Sequence, residues 1–223
     1  MRFSVSKTYP WQGEITDKVA KVMRMFGLTV ERLTRNAVEH KCSFQADAGD
    51  IVYITGPSGS GKSVLLRELE QAVPDCERAN LDRIELPADK TVIDCVDSIC
   101  SPQVAGDFLA ALRLLSVAGL NDVFCVLNQP ARLSDGQKYR FRLAVALAGG
   151  KKFVFADEFC TNLDRISASV VAYNVRRFAK KHGVTFILAS SHQDILADLQ
   201  PDVIVTKELS GPTEVIYKNG DAR

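Results

Sequence analysis

The sequence predicts an α/β fold with a mostly parallel core sheet and an antiparallel β region near the N-terminus. Three observations predict it. Five short apolar runs rich in β-branched or aromatic residues read as buried strands, at residues 50–55 (DIVYIT), 91–96 (TVIDCV), 153–156 (FVFA), 184–189 (VTFILA) and 203–206 (VIVT). Longer segments with helical periodicity separate most of them, which is the alternation a parallel sheet requires. A glycine-rich loop joins the first of these strands to a helix at residues 64–72.

Taken in order, Ile15, Val19, Val22, Met23 and Phe26 mark a first helix, closed by Gly27. Residues 28–44 read as two polar-apolar strands, expected to be antiparallel. Helices are expected at 105–117 and 122–127. The clearest helix covers 166–181, where Ile166, Val170, Tyr173 and Phe178 recur at near-helical spacing and Gly183 follows as a stop. After Gly211-Pro212, residues 214–217 form an edge strand. With no internal repeat and no long linker, residues 1–223 are expected to form a single domain.

The composition is that of an ordinary globular chain: 223 residues, 46% hydrophobic and 25% charged. Lys+Arg number 28 against Asp+Glu 27, a balance that does not point to attachment to nucleic acid or to an anionic membrane by bulk charge alone and leaves room for a local basic patch. No run approaches the ~18 apolar residues of a membrane span, and residues 1–7 lack a signal-type apolar core. A cytoplasmic location is expected. The six cysteines, Cys42, Cys76, Cys95, Cys100, Cys125 and Cys160, show no C-x-x-C spacing and read as reduced thiols.

The chemistry begins at Gly56-Pro57-Ser58-Gly59-Ser60-Gly61-Lys62-Ser63, an uninterrupted G-x-x-x-x-G-K-S between a strand and a helix. Its glycines let backbone N–H groups curl around phosphate at the positive end of the helix. Lys62 then reaches the β- and γ-phosphates, and the Ser63 hydroxyl holds Mg²⁺. Such a phosphate loop (P-loop) needs an acidic strand to complete the magnesium shell, and Phe153-Val154-Phe155-Ala156-Asp157-Glu158 supplies it. Asp157 is placed for the metal, and Glu158 to orient or deprotonate the attacking water. A nucleoside triphosphate and Mg²⁺ are the expected ligands.

Residues 133–144, Leu133-Ser134-Asp135-Gly136-Gln137 followed by Lys138, Arg140, Arg142 and an apolar helix, resemble the L-S-G-G-Q signature of the ATP-binding-cassette (ABC) ATPases. Ser134, Gly136 and Gln137 match, and Asp135 replaces a glycine. Asp164 in Thr161-Asn162-Leu163-Asp164 is similar to the family's S-A-L-D loop, and His192 stands where the family keeps a switch histidine. Gln103 resembles the lid glutamine that touches the metal, with Gln129 as the alternative. The resemblance covers about residues 45–206.

It implies an ABC-type P-loop NTPase with a helical subdomain at about 104–142. Residues 56–64, Val64 included, would wrap the nucleotide together with Gln103, Ser134, Gly136, Gln137 and Asp164. Ser63, Gln103 and Asp157 would serve the metal, and Glu158 and His192 catalysis. It further implies an ATP-bound homodimer in which the signature of one subunit faces the P-loop of the other. Asp135 is expected to point outward or cap its helix. Phe159 stands in place of the usual proline after the glutamate, and the adenine-stacking aromatic is open among Phe26, Tyr9 and Trp11. The short stretch between Gln103 and Ser134 favours coupling of hydrolysis to a soluble partner or to nucleic acid. The alternatives are the ATPase subunit of a membrane transporter and a nucleotide-gated module with little hydrolysis.

Overall fold

The computed structural model describes residues 1–35, 38–99, 107–209 and 211–218. Alternating side chains lay down the first sheet: β1 (Arg2–Tyr9) buries Phe3 and Val5, and pairs antiparallel with β2 (Val38–Gln45) from Arg2↔Gln45 to Tyr9↔Val38. Between them lie α1 (Asp17–Met25), capped by Thr16, and α2 (Val30–Arg35). The antiparallel region is therefore real, but its strands differ from those expected. Residues 28–44 hold a helix and one strand, and the second strand is the N-terminus itself.

The main sheet has the order β4-β5-β6-β3-β7-β8, built from β3 (Ile51–Thr55), β4 (Arg78–Asn80), β5 (Phe153–Ala156), β6 (Thr185–Ala189), β7 (Val203–Thr206) and β8 (Glu214–Tyr217). All neighbours are parallel except β7 and β8. The sheet is covered on both faces, which explains why its strands read as unbroken apolar runs. One face packs Val52, Ile54, Phe155 and Ile187 against Phe3, Phe44 and the helix α3 (Lys62–Gln71). The other packs Tyr53, Val154 and Phe186 under the helices α4 (Val92–Ile99), α5 (Phe108–Val117), α7 (Asp135–Ala148) and α8 (Arg165–His182), with the short α6 (Val123–Val126) beside them and α9 (Leu196–Leu199) after β6.

The run at 91–96 is not a strand. Val92, Cys95 and Val96 are fully buried while Asp94 is exposed, a helical i, i+3, i+4 pattern, and the Thr91 carbonyl accepts from Cys95 N at 3.0 Å to start α4. The strand beside β5 is instead β4, the three residues Arg78-Ala79-Asn80, whose sequence carries no strand signal. Helix α5 begins at Phe108 behind an Asp107 cap; residues 105–106 of the expected helix lie outside the described residues, as do Gln103 and Cys100.

Candidate functional site

The parallel order brings three strand ends to one edge, where α/β sheets bind ligands. β3 runs into Gly56, β5 into Asp157-Glu158, and β6, lying between them, into Ser190 and His192. Two backbone bonds fasten these ends: Phe159 N to Ala189 O at 2.9 Å and Ser190 N to Ile54 O at 3.0 Å.

In the loop after β3, Gly56, Gly59 and Gly61 have φ of 143°, 80° and 91°, which only glycine adopts without strain. At Gly56 a Cβ would fall 2.0 Å from the Lys207 carbonyl, and at Gly61 one would fall 2.3 Å from the His40 ring. Gly61 caps α3 with no side chain, so the first-turn amides have no acceptor within the helix. Lys62 is buried and donates to the Gly56 and Pro57 carbonyls, both at 2.9 Å. Thr55 Oγ1 and Ser60 Oγ are buried with no partner among the described residues. Glycine geometry, free amides and an ammonium bonded only to carbonyls form a cradle that fits phosphate oxygens.

Beyond β5, Asp157 is half-buried and Glu158 is exposed. Asp157 N donates to Asp82 Oδ2 at 3.1 Å, and Glu158 N to Asp157 Oδ1 at 3.0 Å. Burial, with Asp157 as a like-charged neighbour, pushes the Asp82 carboxyl up. Sequence reasoning passed over Asp82, because its partner lies 75 residues away. Glu158 and Cys160 sit at φ 46° and 61°, uncommon for residues with a Cβ. The turn is held by Thr161 Oγ1 donating to Glu158 Oε2 at 3.1 Å, and by Cys160 N donating to the buried Tyr139 hydroxyl at 3.0 Å. Burial drives the Cys160 thiol up to about 12. Phe159 is completely buried.

Ser134 caps α7 and forms a reciprocal box with Gln137: Gln137 N donates to Ser134 Oγ at 3.3 Å and Ser134 N to Gln137 Oε1 at 2.9 Å. The Gln137 amide also donates to Cys125 Sγ at 2.8 Å. Asp135 points outward, its nearest cation Lys138 at 4.0 Å. Gly136 lies against the 162–163 backbone and side chain, at 3.3 Å from where its Cβ would be. Asp164 caps α8 by accepting from Ile166 N and Ser167 N, and these bonds, with the Ser167 hydroxyl first, hold its carboxyl low. The His192 side chain is exposed, while its carbonyl accepts from the buried Tyr53 hydroxyl and its N–H donates to Ser190 Oγ at 3.2 Å. Gln129 is bonded through its backbone, its N–H donating to Asn128 Oδ1 at 3.0 Å and its carbonyl accepting from Arg132 N at 3.0 Å.

Of the three candidate aromatics, Tyr9 stands beside the phosphate loop. Its ring meets His40 edge-on at 5.6 Å and its hydroxyl donates to Glu68 on α3 at 2.5 Å. Phe26 is the exposed cap of α1, and Trp11 packs over Gly13.

A family profile described as ABC transporter matches residues 40–161. The chain belongs to the ABC transporter family. It is an ABC ATPase cassette, similar to the "Methionine import ATP-binding protein MetN" of Chlamydia abortus, at 26% identity over 86% of this chain and 67% of the relative. It is also similar to the "Phosphonates import ATP-binding protein PhnC" of Hyphomonas neptunium, at 30% identity over 76% of this chain and 77% of the relative. A second MetN, from Mannheimia succiniciproducens, is spanned over only 61% of its length. In fold the chain matches the dimeric structure of MJ0796, a bacterial ABC transporter cassette, with a TM-score of 0.69 at 18% identity, covering 97% of this chain and 98% of that one. Among the described residues no helix is long and apolar enough to cross a membrane.

Proposed function

We propose that the chain is one cassette, residues 1–223 with a helical subdomain near 104–142, that pairs with a second copy around two ATP molecules and drives a membrane-embedded import partner. The observation that carries the ATPase chemistry is the meeting of the phosphate loop, Asp157-Glu158 and His192 at adjacent strand ends. Residues 56–64 bind the phosphates through backbone amides and Lys62. Ser63 and Asp157 hold Mg²⁺, which when bound neutralises charge on the transferred phosphoryl oxygens. Glu158 orients the attacking water, His192 faces the γ-phosphate side, and Tyr9 meets the base. Ser134 and Gly136 present the N-terminus of α7 to the partner copy's phosphate, while Gln137 and Asp164 serve this by capping their helices.

The relatives named as import proteins, similar over most of this chain, support a membrane partner better than the soluble or nucleic-acid partner expected from the short stretch before Ser134. Exposed Phe108 and Leu109 on α5, with Val123, Phe124 and Leu127 on or beside α6, offer apolar surface on the helical subdomain for such contact.

The test is Glu158→Gln, which keeps the side-chain shape but removes the carboxylate. With saturating MgATP it binds, stops hydrolysing and runs as a dimer by light scattering, because a ligand that prefers the dimer shifts association. Adding Ser134→Arg returns it to monomer. A monomeric Glu158→Gln chain, with full turnover in Ser134→Arg, would sink the shared site. Recovery of a multi-span protein with the tagged Glu158→Gln chain from solubilised membranes supports the import reading, and recovery of nucleic acid instead returns the earlier one.

A further inference from the structure

Lys207 follows β7 and is one of the largest fully buried side chains, yet among the described residues its ammonium makes no hydrogen bond or ion pair. Buried lysines are almost always paired, since an isolated charge loses its hydration and gains nothing in return. Three buried polar atoms around the same loop have no partner among the described residues: His40 Nδ1, Thr55 Oγ1 and Ser60 Oγ.

The backbone places Lys207 at the loop itself. Its N–H donates to Thr55 O at 2.8 Å, and its carbonyl closes on Gly56. Its charge also reaches the His40 ring: burial and Lys207 together hold that imidazole below its ordinary value, with Glu68 opposing. The same ring covers Gly61. Lys207 thus touches one end of the phosphate loop and acts electrostatically on the group that covers the other.

We infer that Lys207 is a second cationic residue of the nucleotide site, whose uncompensated ammonium is balanced by the bound polyphosphate. The sequence motif assigns that charge to Lys62 alone. Lys62, however, donates to two carbonyls, whereas among the described residues the Lys207 ammonium has no acceptor. In a poorly solvated setting a cation acts on a phosphate over several ångströms, so direct contact is not required. The inference rests on the nucleotide-binding reading of residues 56–64.

The experiment compares wild type with Lys207→Met and Lys207→Gln in urea unfolding and in calorimetric titration with MgATP. Removing an uncompensated buried charge raises the urea midpoint of the nucleotide-free chain, while the affinity for MgATP falls about tenfold to hundredfold, the span of one hydrogen bond to a charged group. Opposite signs are what a merely structural lysine cannot give. Unchanged affinity in both variants, or a nucleotide-free chain less stable than wild type in both, overturns the inference. If wild type itself fails to bind MgATP, the nucleotide reading falls and this inference with it. If wild type binds and the variants bind equally, only this inference falls.

Discussion

Replacing Tyr139 by Phe removes one oxygen and tests how the turn that carries Glu158 is held. Tyr139 lies on α7, buried, and its hydroxyl is the acceptor for Cys160 N at 3.0 Å. Cys160 is itself 5% exposed, so no water replaces the lost acceptor. Leaving a buried N–H unsatisfied costs about 1–3 kcal/mol. The φ of 61° at Cys160 stores about 1–2 kcal/mol that the intact turn tolerates, and relaxation returns part of this once the anchor is gone. A net loss of about 1 kcal/mol follows, which for a chain of this size lowers the melting temperature by roughly 2–4 °C. The displaced backbone lies two residues past Glu158 and four before Asp164, so the hydrolytic step should suffer more than nucleotide binding. Urea unfolding and single-turnover hydrolysis of bound ATP read the two effects separately. A Phe variant within about 0.5 kcal/mol of wild type, the range of an inconsequential surface change, with an unaltered single-turnover rate, refutes the anchoring role.

Two other expectations come from charge and burial. Asp202 accepts from Ile51 N at 2.9 Å, Arg176 at 2.7 Å and Lys180 at 3.1 Å; burial opposes its charge, but these bonds outweigh it and hold the carboxyl low. A depressed folded value means the stabilisation is present above the unfolded value of about 3.9 and is lost as pH falls through the folded one. Asp202→Asn therefore lowers stability by about 2–4 kcal/mol at pH 7, and the gap from wild type closes in acid; a gap that persists at pH 2 would count against it. Burial pushes the Cys42 and Cys160 thiols to about 11 and about 12, so iodoacetamide at pH 8 should alkylate exposed Cys76 and spare these two until urea is added, as peptide mass spectrometry will show.

What the sequence discloses divides along a physical line. The phosphate loop, Asp157-Glu158 and the Ser134–Gln137 box are local: each needs particular residues within a few positions, so each can be read without knowing what lies opposite. The run at 91–96 fails because a six-residue apolar segment suits a strand or a buried helix turn equally, and only packing decides. β4 fails for the opposite reason: Arg78-Ala79-Asn80 is a strand only because β5 accepts it.

Asp82 and Lys207 are invisible for a third reason. Each matters through a partner far away in sequence, one at Asp157 and one at Gly56. Phe159 shows where the two kinds of information meet. As a departure from the family's proline it reads as a possible defect in the catalytic turn. In the fold its N–H bonds to Ala189 O at 2.9 Å, a bond proline cannot make, and its ring fills the core completely. The same turn then holds Glu158 and Cys160 at positive φ without the ring constraint a proline would bring, which places its rigidity in the contacts of Phe159, Thr161 and Tyr139 with the rest of the fold.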